Sequence, residues 1–368
     1  MSARQKRYAE KVYANGISVY PGFANTHEQN VKLIELAADH GLTRLFTSLH
    51  IPESDAGRLK MELSNLLQTA RVRDMEIISD ISPATRKMLN MNELSLSSLR
   101  MLGLTTLRLD DGFTPKDIAS LSRSKHKMRL QLNASTITGK MLQALIDAKV
   151  DFSSVEALHN YYPRTGTGLS EETLVRKTIM LHKAGMRVGA FVGSRTGRRG
   201  PLFEGLPTLE DHRDMDTYLA ARHLVALGID SVIIGDSMPS EDEIIALSKL
   251  KGDQVVIRAE MYTKDPVQRD LLLRTFTSRL DEARDAIRAD ESRRLVTGPI
   301  YPENTVERAP GAITIDNEGY LRYMGELEIV RFGQNADRRI NVAAKVIDSE
   351  LFLLDYITPG RKFSFEFE

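Results

Sequence analysis

Eight short apolar segments recur along the first 250 residues, and a helical pattern follows each of them. Apolar runs of strand length that alternate with amphipathic helices are typical of parallel sheets, in which a helix connects each strand to the next. The segments are 16–22, 42–52, 75–83, 105–113, 128–135, 153–160, 186–194 and 231–237. Eight such units in about 250 residues predict a (β/α)8 TIM barrel. A doubly wound open sheet is the alternative, but no glycine-rich phosphate motif follows the first segment.

Residues that begin helices stand between these segments. Thr26 and Gln29 have the spacing of a capping box, in which each side chain accepts a hydrogen bond from the other residue's backbone amide. Thr114 and Pro115 match the N-cap and the first helical position. Ser170 precedes a further helical pattern and is predicted to cap it.

The pattern changes after about residue 250, where β-rich segments and turn residues predominate. One polar stretch, 281–294, predicts a helix among them. We therefore predict two domains, a barrel over residues 1–250 and a small β-rich domain over 251–368.

Composition narrows the function classes. The 50 Lys and Arg residues balance the 50 Asp and Glu residues, so the basic excess of a non-specific nucleic-acid binder is missing. The absence of cysteine excludes disulfides and suits a reducing compartment. No stretch approaches the ~20 apolar residues that span a bilayer, and the first residues lack the apolar region of a signal peptide. We expect a cytoplasmic protein that binds neither nucleic acid nor membrane.

Polar and ionisable residues stand at the ends of the predicted strands, most densely in SSVEALHNYYPRTGTG, residues 153–168. The active site of a TIM barrel lies at the carboxyl ends of its strands, so these residues are expected at one rim. The candidates are Tyr20, Ser48, His50, Glu53, Asp80, Asp110, Asp111, Asn133, Glu156, His159, Asn160, Arg164 and Asp236. A plainer interpretation remains for single members, because a lone Asp often caps a helix and a lone His is often structural.

The adjacent carboxyls Asp110 and Asp111 follow the fourth segment. Two neighbouring carboxyls repel each other when both are ionised, so the pKa of one is expected to rise. A carboxyl that keeps its proton suits general acid catalysis of glycosidic bond cleavage.

Three arginines, Arg195, Arg198 and Arg199, stand among glycines after the seventh segment. Arginine forks match phosphate oxygens, and glycines let backbone amides approach an anion. Loops after the seventh and eighth strands are a frequent phosphate site in TIM barrels. This loop is therefore the predicted anion site.

Several separated motifs together resemble one family, the bacterial 6-phospho-N-acetylmuramidases. The motifs are ISVYPG, RLFTSLHIPE, LRLDDGF, VEALHNYYPRTGTGLS, RGPLFEGLPTLEDHR and IGDSMPSE. The resemblance covers essentially the whole chain and implies that the β-rich domain is cyclophilin-like. It also implies a cytosolic glycoside hydrolase of cell-wall recycling, whose substrate is the disaccharide 6-phospho-N-acetylmuramic acid–N-acetylglucosamine.

Roles can be assigned to motif positions as hypotheses. One of Asp110, Asp111 or Glu156 would protonate the leaving oxygen, either with a carboxylate that orients the attacking 2-acetamido group or in a direct two-carboxylate mechanism that pairs Asp110 with Glu156 or Asp236. Arg199, with Arg195 and Arg198, would bind the 6-phosphate, and Arg164 is the second choice. The residues assigned to sugar hydroxyls or to orienting the acids are His50, His159, Asn160 and Glu204.

Two other functions are compatible with the same residues. A metal-dependent sugar-phosphate isomerase or epimerase would use His50, Glu53, Asp80, Glu156, His159 and Asp236 as ligands, although their spacing does not require a metal. A non-catalytic sugar-phosphate binding protein is the third hypothesis. For the hydrolase we expect neither a metal ion nor an organic cofactor.

Overall fold

The computed structural model of the chain describes residues 14–21, 25–48, 56–81, 96–101, 103–110, 112–126 and 128–367. Eight parallel strands form a closed barrel in the order β1 to β8, which confirms the predicted (β/α)8 fold. The strands are β1 Gly16–Val19, β2 Arg44–Ser48, β3 Glu76–Ile81, β4 Thr106–Leu109, β5 Arg129–Asn133, β6 Val155–Leu158, β7 Val188–Val192 and β8 Ser231–Ile234.

Helices follow the strands of the barrel. They are α1 His27–Asp39, α2 Ala56–Val72, α3 Leu96–Met101, α4 Pro115–Ser122, α5 Gly139–Asp147, α6 Glu171–Lys183, α7 Thr217–Ala226 and α8 Glu241–Ser248. The predicted caps are confirmed, since Thr26 and Thr114 form capping boxes at α1 and α4, and Ser170 caps α6. Among the described residues, no helix combines the length and apolar character needed to cross a bilayer.

An apolar layer fills the middle of the barrel. Successive residues of a strand point to opposite faces, so every second residue faces the axis. The side chains that meet there include Phe46, Ile78, Leu158, Phe191 and Ile233, all at most 2% exposed. This layer separates polar side chains near the strand starts from those near the strand ends.

Charged side chains close the amino end of the barrel. Arg44, at the start of β2, donates to Glu156 at 2.7 Å and to Glu76 at 3.1 Å. Gln131 donates to the second oxygen of Glu156 at 2.6 Å. Burial opposes the charge on Glu76, but Arg44 and Arg129 outweigh it and lower the pKa of Glu76. The buried charges at this end are therefore paired, as burial requires.

The second unit is a seven-stranded sheet in the order β10-β15-β9-β14-β12-β13-β11. Its pairings are antiparallel except for β15 with β9. The strands and helices are β9 Val255–Met261, α9 Pro266–Leu272, β10 Thr275–Thr277, β11 Ala286–Arg288, α10 Ser292–Leu295, β12 Ala312–Asp316, β13 Leu327–Val330, β14 Ile340–Val346 and β15 Lys362–Phe367. Short 3-10 segments span Glu318–Tyr323 and Asp348–Tyr356.

The helix predicted over 281–294 is wrong. Ala286–Arg288 form strand β11, which pairs antiparallel with β13, and the helical turn α10 begins only at Ser292. Ala286 and Ile287 are 6% and 3% exposed. Pairing and burial against the sheet outweigh the local preference for helix.

The chain forms two compact units. The first ends at Leu250 and the second begins at Lys251, with Val225–Leu227 grouped with the second unit.

Replacing Glu156 by Gln is expected to lower the free energy of unfolding by about 3 kcal/mol, the lower end of the range for breaking a buried ion pair. The loss stays at that end because Glu76 remains a partner of Arg44. Urea denaturation of both proteins measures it. The matched control is Glu172→Gln on the exposed side of α6, and equal losses in the two variants would contradict the assignment.

Candidate active site

Polar side chains collect at the mouth of the barrel, meaning the rim formed by the carboxyl ends of β1–β8. The register places Ser48 beside Asp80, and Ser48 Oγ donates to Asp80 Oδ2 at 2.6 Å. Asp80 is buried, whereas Asp110, which follows β4, is half-buried. Two carboxyls of different burial therefore stand on neighbouring strands at this rim.

Arg108 lies on β4 beside these carboxyls, two residues before Asp110. Its guanidinium donates to the Leu158 carbonyl oxygen at 2.8 Å and to the Asn160 side-chain oxygen. Its Nε lies 4.0 Å from Asp110 Oδ1. Burial lowers the pKa of Arg108, and the charges of Asp110 and Asp80 partly oppose that shift. Arginine stays protonated in proteins, so a fixed positive charge lies next to the acids.

A second arginine, Arg199, lies over the aromatic side chains of the mouth. Its guanidinium carbon is 4.5 Å from the centre of the Tyr20 ring and 5.2 Å from that of Tyr161. Arg199 Nη1 also donates to the Tyr161 hydroxyl at 3.1 Å. Burial opposes its charge, but Tyr20 and Tyr161 outweigh burial and raise the pKa of Arg199. The rings therefore hold a cation at the mouth through cation–π contact and a hydrogen bond.

The arginine loop, residues 193–206, is held from within. Asp236 accepts hydrogen bonds from the backbone amides of Ser194 at 2.8 Å, Arg199 at 2.8 Å and Leu206 at 3.2 Å. Glu243 accepts from the amide of Arg195 at 2.6 Å. The prediction that the amides of this loop cradle an anion is wrong for these four, because carboxylates of the protein already occupy them.

The three arginines of this loop differ in their surroundings. Arg195 and Arg198 donate to the exposed carboxylate of Asp214 at 2.9 Å and 2.7 Å. Arg198 also donates to the Arg213 carbonyl oxygen at 2.9 Å. Of the three, Arg199 is therefore the one that the structure brings to the Tyr20 and Tyr161 rings.

Arg164 and Glu204 belong to an outer pair of loops. The Arg164 side chain is exposed, and its carbonyl oxygen accepts from Arg213 at 3.1 Å. Glu204 accepts from the Thr165 amide, and that hydrogen bond lowers the pKa of Glu204. The bond between Thr165 and Glu204 thus joins the loop after β6 to the arginine loop.

Glu156 lies at the amino end of the barrel, whereas the sequence predicted it at the mouth. It is the second residue of β6, four residues before Asn160, and its carboxylate joins Arg44 at the amino end. The prediction that Glu156 stands at the mouth is therefore wrong, since the strand begins only one residue before it.

His159 and Asp236 follow their strands but face away from the axis. His159 is fully buried, with Nδ1 3.2 Å from Ser135 Oγ and Nε2 3.4 Å from Thr178 Oγ1. Burial, with the charges of Lys177 and Arg108, lowers the pKa of His159 to about 3. Burial also raises the pKa of Asp236, although its three amide partners oppose the shift. Both side chains are therefore buried and held by groups of the protein.

His50 and Asp111 lie outside the described residues, as does Glu53. Among the residues that are described, no three His, Asp or Glu side chains converge as metal ligands. Asp80, Glu156, His159 and Asp236, which the isomerase hypothesis groups as ligands, have separate partners.

Two family descriptions match the sequence over nearly its whole length. "6-phospho-N-acetylmuramidase, N-terminal" matches residues 15–249, and "6-phospho-N-acetylmuramidase, C-terminal" matches residues 255–366. The chain belongs to the 6-phospho-N-acetylmuramidase family. The resemblance inferred from the sequence motifs is thereby confirmed.

Two solved structures are similar to this family member over both units. An uncharacterized protein from B. cereus is 29% identical with a TM-score of 0.82, and the match covers 95% of this chain and 98% of that one. A conserved protein of unknown function from Enterococcus faecalis is 35% identical with a TM-score of 0.67, and the match covers 97% and 96%. No curated protein matches the sequence.

Arg108 and Tyr161 lie at the mouth of the barrel but were not predicted from the sequence as site residues. Arg108 carries a usable signal, because a charged residue two positions before Asp110 on a strand shares its face. Tyr161 stands in the conspicuous run HNYYPRTG, but only the folded chain shows that its ring meets Arg199.

The buried, neutral His159 predicts weaker stability in acid. Below pH 6.5 the unfolded chain protonates this histidine, whereas the folded protein does not until about pH 3. The free energy of unfolding should therefore fall as the pH falls through this window, by about 2 kcal/mol at pH 5 from this residue. Urea denaturation between pH 8 and pH 5 should show a shallower dependence in His159→Gln. An unchanged dependence would contradict the assignment.

Proposed function

We propose that the protein is a cytoplasmic glycoside hydrolase that cleaves 6-phospho-N-acetylmuramic acid–N-acetylglucosamine during recycling of the cell wall. Membership of the 6-phospho-N-acetylmuramidase family supports this function. One structural observation gives this function its main support. The mouth combines two carboxyls, Asp80 and Asp110, with a cation, Arg199, held on two aromatic rings.

The two carboxyls are suited to glycosidic cleavage. One donates a proton to the glycosidic oxygen as its bond to the anomeric carbon breaks, and the other orients the 2-acetamido group, whose carbonyl oxygen attacks that carbon. Water then opens this intermediate and releases the second sugar. Asp110 keeps the role predicted from the sequence, and Asp80 replaces Glu156 and Asp236 as its described partner. A direct mechanism with the same two carboxyls is the alternative.

Arg199 is the proposed ligand of the 6-phosphate. A guanidinium offers several fixed N–H donors to phosphate oxygens, and the rings of Tyr20 and Tyr161 keep it in place at the mouth. Arg195 and Arg198 are not part of this proposal, since both pair with Asp214.

Removing either carboxyl tests the acid pair. Asp80→Asn and Asp110→Asn should each lower kcat by roughly 10²–10⁴-fold, because an amide neither donates the proton nor carries the charge. Release of the two sugars, followed by mass spectrometry, gives kcat. Asp147→Asn at the end of α5, on the outside of the barrel, is the matched control and should keep normal turnover. Near-normal turnover in both mouth variants would refute the pair.

Removing Arg199 tests the phosphate site. Arg199→Ala should lower kcat/KM for the phosphorylated disaccharide by about 100-fold, as loss of a charge-assisted contact implies. It should change the slower cleavage of the unphosphorylated disaccharide far less. Arg195→Ala is the control on the same loop. Equal losses on both substrates would sink the phosphate assignment and leave the hydrolase intact, whereas cleavage of neither disaccharide by the wild-type protein would end the proposal itself.

A further inference from the structure

The carboxylate of Asp236 is completely buried, and the hydrogen bonds that hold it come from the backbone of the arginine loop. Its partners are backbone amides: Oδ2 accepts from Ser194 and Leu206, and Oδ1 accepts from Arg199. A carboxylate that accepts several amide hydrogen bonds holds those amides in a fixed arrangement. Asp236 therefore ties both ends of the arginine loop to the end of β8.

A close approach of backbones supports the same contact. A Cβ added to Gly197 would lie 1.8 Å from the Met238 carbonyl oxygen, so only glycine allows the loop to lie this near the segment after β8. The Met238 amide donates to the Gly197 carbonyl oxygen at 3.2 Å. Glu243 adds a second carboxylate, through the Arg195 amide and the Ser194 hydroxyl at 2.8 Å.

The end of β8 also holds the Tyr20 ring that lies against the Arg199 guanidinium. The Tyr20 hydroxyl donates to the Gly235 carbonyl oxygen at 2.6 Å, while the next residue, Asp236, holds the Arg199 amide. The backbone of Arg199 and the ring under its guanidinium thus share one anchor. A shift of the loop would move the guanidinium away from a ring that stays in place.

We infer that Asp236 is a positioning residue that sets the preference for a phosphorylated sugar by fixing where Arg199 presents its guanidinium. The inference rests on the proposed function, because it assigns the selectivity of that site. Asp236 does not touch the substrate, since both of its oxygens are occupied by amides and its side chain is buried. It acts through Arg199, and its earlier assignment as a catalytic acid or nucleophile is replaced.

Asp236→Asn is the decisive variant. Asparagine has nearly the same shape but only one accepting oxygen, so its NH2 group must face at least one of the three backbone amides. We expect the KM for the phosphorylated disaccharide to rise by about 10–100-fold. The kcat at saturation should change by less than about 3-fold. Cleavage of the unphosphorylated disaccharide should change little. Asp214→Asn, the same change at an exposed partner of Arg195 and Arg198, should leave the preference unaltered.

A double variant separates positioning from general damage. If Asp236 acts through Arg199, Asp236→Asn added to Arg199→Ala should produce little further loss of kcat/KM. Additive losses, or equal losses on both substrates in Asp236→Asn alone, would overturn the inference. Thermal denaturation shows whether the variant is folded. If Asp236→Asn is not folded, Glu243→Gln takes its place, because Glu243 is the second carboxylate that holds the arginine loop. An unchanged preference for the phosphorylated disaccharide in Glu243→Gln would count against the inference. Failure of the wild-type protein to cleave either disaccharide concerns the proposed function instead.

Discussion

Closure of the parallel sheet is the constraint on which the rest of the structure depends. In a closed barrel every second residue of a strand faces the axis. The inward-facing side chains of each strand therefore lie in turn at the amino end, in the middle and at the mouth. The middle is apolar, with Phe46, Phe191 and Ile233 among its members. The charged side chains described at the two ends therefore lie in separate layers.

The two polar layers use arginine differently. At the amino end, Arg44 is buried against Glu76 and Glu156, and such charges are tolerated in the interior because each has a partner. At the mouth, Arg199 lies over aromatic rings, which carry no formal charge. The charge of Arg44 is balanced by carboxylates of the protein. The arrangement around Arg199 is suited to receive an anionic ligand. This contrast supports the proposal that the mouth, and not the amino end, binds the substrate.

Much of the fold could be predicted because its signals are local. Strand segments and helix caps depend on residues a few positions apart, and Thr26 with Gln29 shows how directly such a pair determines a helix start. The helix expected over 281–294 failed because β11 forms through pairing with β13, which lies about 40 residues further along the chain. The site was only partly predictable for a related reason. Glu156 and Asn160 occupy the same strand segment and the same face, yet the point at which β6 begins places them at opposite ends of the barrel.

By itself, the sequence determined the class of fold, through the alternation of strand and helix periods, and it placed Asp110 and the arginine loop beside the strand ends. Only the tertiary structure decided which polar groups meet. His159 meets Ser135 and Asp236 meets the amides of the arginine loop, away from the axis, whereas Arg199 contacts the Tyr20 ring at the mouth. Those contacts join residues that lie far apart in the sequence, as in the bond from Tyr20 to Gly235, 215 positions away. The contacts of Tyr20 exist only after the barrel has closed and brought its first strand against its last.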